Sequence, residues 1–258
     1  MPYMKSGGIE LYYEVHGEGI PIIFAHGRGG GHLVWWQQVP VFAKDFKVVT
    51  FDQRGYGLSK DIPSGPGRAA FADDLLNLMD HLEIPAAYLV GQSMGGWTIL
   101  SFAVQHPERT LGLLLSDTSA GISEEAIFAA YRERGEPPAQ VFARAISQKF
   151  KDEEPLKAFL YKELGDMNPP APDPLMALLL SDVGPTAADL AGLEVPAKFV
   201  VGALDIVVPP SIVELCVGFY PGAEVEVVAD AGHSVYFERP EVYNRILADF
   251  IARTEQAR

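Results

Sequence analysis

The chain is short of cysteine, of cations and of long apolar runs, and each scarcity excludes something. A single cysteine, Cys216, cannot form an internal disulfide, which fits a reducing compartment. Lys and Arg total 20 against 34 Asp and Glu, a formal net charge of −14. That balance repels nucleic acid and anionic membrane surfaces, so neither is expected as a partner. No uninterrupted apolar stretch of about 18 residues occurs, and no transmembrane helix is expected. Met1 to Glu10 has neither the apolar core nor the small-residue cleavage site of a secretory signal, so the expected location is cytoplasmic. H-E-x-x-H and clustered Cys/His spacings are also missing, and the sequence calls for no metal.

What is present is a globular composition, 48% hydrophobic and 21% charged, in 258 residues, enough for one large core. Short β-branched and aromatic runs alternate with helical patterns, as in a mostly parallel sheet covered by helices. Strands are expected at 9–15, 20–25, 46–51, 87–90, 111–115, 198–201 and 224–228, with Gly17 and Gly19 offering a hairpin turn between the first two. Ala72, Leu75, Leu76, Met79 and Leu82 fall on one helical stripe, and Tyr243, Ile246, Leu247 and Phe250 on another. From Ser119 to Leu190 the strands stop, and 8 of the 20 prolines fall there. A structureless loop of that length is improbable. The expectation is a helical cap over the sheet, with helices at 139–151 and 155–164 and a stiff proline-rich connection at 167–174. The chain then divides into a core, 1–118 and 191–258, and a cap, 119–190.

Gly91-Gln92-Ser93-Met94-Gly95 lies between an expected strand and an expected helix, the setting in which G-x-S-x-G presents a nucleophile. A serine at the apex of so sharp a turn needs neighbours without side chains, and the turn leaves the amide of Met94 at a helix amino end, where it stabilises an anion. The loop Phe24-Ala25-His26-Gly27-Arg28-Gly29-Gly30-Gly31 follows another strand, and the amide of Arg28 is the natural second donor. His26 is expected to shape this loop, and the Arg28 side chain either to line the pocket entrance, attracting an anionic substrate, or to face solvent, the favoured reading. A serine hydroxyl needs a base, and His233, carried on Asp230-Ala231-Gly232-His233-Ser234 after the strand at 224–228, is placed to supply it. The acid that orients the imidazole should follow a strand. Asp205 does so and gives the order Ser93, Asp205, His233; Asp117, after the strand at 111–115, is the alternative. Arg54 and Asp52 are read as structural.

With these residues in view, the chain resembles the α/β-hydrolase family along nearly its whole length. The resemblance is carried by residues 24–30, Phe51-Asp52-Gln53-Arg54-Gly55-Tyr56-Gly57-Leu58-Ser59, 91–96, 202–205 and 231–233. It implies an eight-stranded, mostly parallel sheet with a helical cap after the sixth strand, Ser93 as nucleophile, Asp205 as acid, His233 as base, and no cofactor. Residues 90–96, His106-Pro107-Glu108-Arg109 and 116–120 look most like enol-lactonases and small carboxylesterases. Epoxide hydrolases and haloalkane dehalogenases use an aspartate nucleophile and are disfavoured by Ser93. The expected activity is therefore hydrolysis of a small-molecule ester or lactone. Phe128, Tyr131 and Phe142 of the cap, together with His32 and Trp35, are candidates to contact substrate, although core packing explains the cap residues at least as well and a surface role suits His32 better. Two alternatives keep the same fold. One is a carbon–carbon hydrolase of aromatic ring-cleavage products, for which Arg28 is the one pocket cation to nominate. The other is a slow-turnover ligand receptor.

Overall fold

Residues 2–168 and 174–258 are described by a computed structural model. Eight strands form one sheet: β1 (Tyr3–Ser6), β2 (Ile9–His16), β3 (Ile20–Ala25), β4 (Phe46–Phe51), β5 (Ala87–Gln92), β6 (Thr110–Ser116), β7 (Ala197–Gly202) and β8 (Glu224–Val228). Their order across the sheet is β1-β2-β4-β3-β5-β6-β7-β8. The β1–β2 and β2–β4 pairs are antiparallel, and all later pairs are parallel. This is the α/β-hydrolase architecture that the sequence implied.

Alternation along the strands divides the core into two layers. Leu113 and Leu115 of β6 face one cluster, with Leu75, Ile99 and Ile212, whereas Leu114 between them faces the other, with Phe42, Tyr243 and Leu247. Helices α1 (Val39–Phe42), α2 (Phe71–His81) and α3 (Met94–Gln105) precede β6. Between β6 and β7 come α4 (Glu125–Arg134), α5 (Val141–Ala145), α6 (Gln148–Glu153), α7 (Pro155–Asp166), α8 (Leu175–Leu179) and α9 (Ala187–Leu190), with no strand among the described residues. Helix α10 (Pro210–Phe219) links β7 to β8, and α11 (Val235–Glu238) and α12 (Pro240–Ala257) close the chain. Among the described residues, no helix is long and apolar enough to cross a membrane.

Several expectations are corrected. The turn at Gly17 and Gly19 does not make a hairpin, because β4 lies between β2 and β3. Gly17 is required instead by close approach: at φ 71°, a Cβ there would sit 2.3 Å from the Ala43 carbonyl oxygen. Strand β1 carries little sequence signal because it is only 4 residues long, although Gly7 and Gly8, both at positive φ, mark its turn into β2. The helix expected over 139–151 is broken in two. Ile146 and Ser147 are extended, and the Ser147 hydroxyl accepts the Phe150 amide to cap α6. Most of the proline-rich connection, at 169–173, lies outside the described residues. Arg54 is 2% exposed and forks onto both oxygens of Asp74 at 2.8 Å, a structural pairing that ties the loop after β4 to α2.

Candidate active site

The turn from β5 into α3 is strained at one residue. Ser93 has φ 52° and ψ −115°, a conformation that side-chain-bearing residues seldom adopt. Its neighbours show why the strain persists. A Cβ on Gly91 would lie 2.5 Å from the Gly95 carbonyl oxygen, and one on Gly95 would lie 2.0 Å from that of Ala25. Two hydrogen bonds from the end of β6 and the loop after it fix the apex: the Ser93 amide donates to the Ser116 carbonyl at 2.9 Å, and the Thr118 hydroxyl donates to the Ser93 carbonyl at 2.7 Å.

Three side chains meet over this turn. His233 Nε2 is 3.0 Å from Ser93 Oγ, and His233 Nδ1 is 2.8 Å from Asp205 Oδ2. The second oxygen of Asp205 accepts the amides of Val207 and Val208 at 2.7 and 2.9 Å, which aims the first at the imidazole. With Nδ1–H donating to Asp205, Nε2 presents a lone pair to the serine hydroxyl. Asp205 and His233 are both buried. Burial works against the charged form of His233, but the charge and hydrogen bond of Asp205, helped by Asp117, outweigh it, and the imidazole is held above its ordinary range. Asp117 does not touch His233. It accepts the Gly202 amide, the Ser116 hydroxyl and the Val235 amide at 3.1, 2.9 and 3.2 Å. Burial first, then the nearby Asp205 charge, push it up to about 7.

The histidine loop is itself held by residues that the sequence did not single out. Gln92 Nε2 donates to the His233 carbonyl at 2.7 Å. Its amide oxygen fills the space where a Cβ on Gly27 would stand, 1.9 Å away. Glu238 accepts the Gly232 amide at 2.9 Å and the Ser147 hydroxyl at 2.6 Å, joining this loop to the start of α6. Tyr161 of α7 lies 3.0 Å from Ser234 Oγ. Gln92 had a signal in its place beside Ser93. The others had none, because their contacts depend on how the helices between β6 and β7 pack.

Arg28 sits in a tight turn closed by the Gly30 amide on the Gly27 carbonyl at 3.0 Å, and Met94 opens α3. Helix-opening amides have no acceptor within the helix. His26 is fully buried; its Nδ1 donates to the Gly27 carbonyl at 2.7 Å and its Nε2 accepts the Gln53 amide at 2.9 Å, which shapes the loop.

A cavity of about 1020 Å³ opens beside these elements. Its wall includes Gly27, Arg28, Gln92, Phe142, Arg144 and Tyr161, but not Ser93 or His233 themselves. Of the five candidate contact residues, Phe142 lines it. Trp35 is fully buried between Phe24 and Tyr236, with ring centroids at 5.0 and 4.5 Å. His32 is bonded to Asp52 at 2.8 Å, Tyr131 is fully buried in the core, and Phe128 is half-buried outside this wall. The Arg28 side chain, expected either in solvent or at the pocket, is half-buried in the cavity wall because its turn faces the helices after β6. Among the described residues, no three His, Cys, Asp or Glu cluster as a metal site requires.

Known proteins show the same architecture. A family model for the alpha/beta hydrolase fold matches residues 20–141. The dihydrolipoyllysine-residue acetyltransferase component of the acetoin cleaving system of Pseudomonas putida is 30% identical, over 96% of this chain and 68% of that protein. The 3-oxoadipate enol-lactonase 2 of Acinetobacter baylyi is 29% identical, over 90% of this chain and 88% of that protein. Among solved structures, a thermophilic esterase from Thermogutta terrifontis with malate bound aligns at TM-score 0.80 and 28% identity, covering 98% of this chain and 97% of that one.

Proposed function

The chain belongs to the α/β-hydrolase fold family, and from that premise we propose that it is a serine hydrolase cleaving a carboxylic ester or lactone of a small molecule. One observation carries the proposal: a strained serine whose hydroxyl meets an imidazole at 3.0 Å, with a buried carboxylate at 2.8 Å on the far nitrogen. His233 Nε2 takes the proton of Ser93 as its oxygen attacks the ester carbonyl, and the new charge falls on the amides of Arg28 and Met94. Asp205 holds Nδ1–H in place and stabilises the imidazolium. His233 then protonates the leaving alkoxide, leaving an acyl group on Ser93. Water, deprotonated by the same imidazole, releases the acid. The helices between β6 and β7, residues 119–190, act as a cap whose Phe142 and Tyr161 bound the substrate space.

Steady-state hydrolysis of p-nitrophenyl esters from acetate to decanoate, with Ser93→Ala as control, tests this reading. Sustained turnover that the variant loses is the expected result, and the best chain length reports the room beneath the cap. No turnover by folded wild-type protein overturns the ester reading. Activity confined to dienoic keto-acids moves the cleaved bond to carbon–carbon, and a single turnover with a ligand-dependent rise in melting temperature makes the chain a receptor.

A further inference from the structure

Asn168, just past the end of α7, joins that helix to two loops of the core. Its Oδ1 accepts the Gly57 amide at 2.8 Å, in the loop after β4, and its Nδ2 donates to the Gly29 carbonyl at 3.0 Å, in the loop after β3. A Cβ on Gly165 would stand 3.8 Å from that same carbonyl oxygen, so the last turn of α7 lies directly against the second loop. This loop is rich in glycine, with Gly29 at φ 79°, and its own chain supplies little stiffness. A relay of peptide planes holds it instead. Each peptide unit is planar and trans, so fixing its carbonyl fixes its N–H on the opposite side. The Gly29 carbonyl and the Gly30 amide belong to one unit, gripped by Asn168 at one end and, at 3.0 Å, by the Gly27 carbonyl at the other. The Gly27 carbonyl, which also accepts His26 Nδ1 at 2.7 Å, shares its own unit with the Arg28 amide.

We propose that Asn168 is a positioning residue whose side-chain amide aims the Arg28 amide at the oxyanion, so that this donor is set only while α7 is seated on the core. The proposal rests on the serine-hydrolase reading for the anion that forms. A carboxamide suits the place because it both accepts and donates, matching the Gly57 N–H and the Gly29 carbonyl in one planar group. A carboxylate of the same shape keeps the first contact, forfeits the second and sets a negative charge beside a carbonyl oxygen. Tyr161, earlier on α7, lies 3.0 Å from Ser234 Oγ, next to His233. One helix therefore touches both the loop that carries the base and the loop that carries the oxyanion donor.

Two substitutions separate the halves of the contact. Asn168→Asp keeps an acceptor for Gly57 and loses the donor to Gly29, whereas Asn168→Ala loses both. On a p-nitrophenyl ester, each is expected to lower kcat by about tenfold or more, short of the roughly 10²–10³ lost when an oxyanion donor is removed outright, with KM within about twofold. Unchanged kcat in both variants overturns the proposal. A loss in Asn168→Ala that Asn168→Asp does not share assigns the effect to the Gly57 loop and overturns it too. So does a loss confined to KM, which would leave Asn168 as no more than part of the cavity wall that it lines. Deuterium exchange of the amides at 27–31 needs no turnover: it should be faster in both variants than in wild type, and unchanged exchange rejects the brace. If wild-type protein hydrolyses no ester, faster exchange in the variants upholds the brace on the turn while the serine-hydrolase reading falls.

Discussion

Asp117 and Asp205 stand past the carboxyl ends of neighbouring strands, yet only Asp205 reaches His233, with its oxygen 2.8 Å from Nδ1. Asp117 spends its oxygens on Gly202, Ser116 and Val235, bracing β6, β7 and the start of α11. The two carboxyls therefore divide the work of holding the imidazole and holding the frame around it. Asp205→Asn is expected to lower kcat by roughly 10⁴, because the amide favours the wrong imidazole tautomer. Asp117→Asn should lower it by less than about tenfold, the size of one ordinary hydrogen-bond change. Steady-state rates of both variants, with folding checked by circular dichroism, decide the assignment. A larger loss at Asp117 would move the acid to β6.

Charge around His233 predicts opposite shifts in the pH–rate profile. An imidazole acts as base only when neutral, so in the proposed mechanism kcat/KM falls below its pKa. Asp117 raises that pKa and Arg144 lowers it. Asp117→Asn should therefore carry the acidic limb to lower pH, and Arg144→Gln should carry it to higher pH. Profiles on a neutral ester check both signs, and shifts in one direction would reject the electrostatic account.

Asp117 also links stability to pH. Its carboxyl is pushed up to about 7 in the folded chain, from an ordinary value of 3.8. Below the ordinary value both states hold the proton. As pH rises from there to about 7, the unfolded chain releases it first, so the wild type loses stability across that window. Asp117→Asn cannot titrate. The melting temperature of the variant minus that of the wild type should grow more positive from about pH 4.5 to about pH 7.5, whatever its sign at the start. A flat difference would show that Asp117 ionises normally.

Glu238 is 3% exposed and joins the Gly232 amide to the Ser147 hydroxyl and amide. Glu238→Ala leaves those buried donors without their acceptor, at a cost of about 1–3 kcal/mol each at most. It also frees the loop that carries His233. Lower stability in urea and a reduced kcat are expected together. Loss of stability alone would confine Glu238 to holding α6.

The sheet was legible because its central strands are short apolar runs bounded by glycine and proline. β5 and β7 are buried at every residue. The meeting of Ser93, Asp205 and His233 was legible for a related reason, since each follows a strand whose end dictates a tight turn. Strand order was less so: the glycines at 17 and 19 read as a hairpin because local turn chemistry cannot register that β4 intervenes. The cavity was hardest to read. Phe128, Phe142 and Tyr131 have the same composition signal, but only packing of α4 to α7 decides that Phe142 faces the cavity while Tyr131 is buried in the core. Arg144 gave no signal, since only packing of α5 brings it to the wall that Arg28, 116 positions earlier in the chain, also lines.

Close approach makes the glycines around Ser93 irreplaceable, and a contrast within the chain tests this. A Cβ on Gly95 would stand 2.0 Å from the Ala25 carbonyl oxygen, a backbone atom of the strand that feeds the Arg28 turn. Gly95→Ala must push α3 away from β3, which costs about 3 kcal/mol or more and separates the Met94 and Arg28 amides. Gly218 lies near the end of α10, and a Cβ there meets nothing within 4 Å. Gly218→Ala should therefore raise stability by roughly 0.5 kcal/mol, since alanine loses less freedom in a helix, and leave kcat alone. Urea denaturation and ester turnover of the two variants separate the effects. A Gly95→Ala protein as stable and active as wild type would show that the turn has slack, and the strain at Ser93 would then not be imposed by its neighbours.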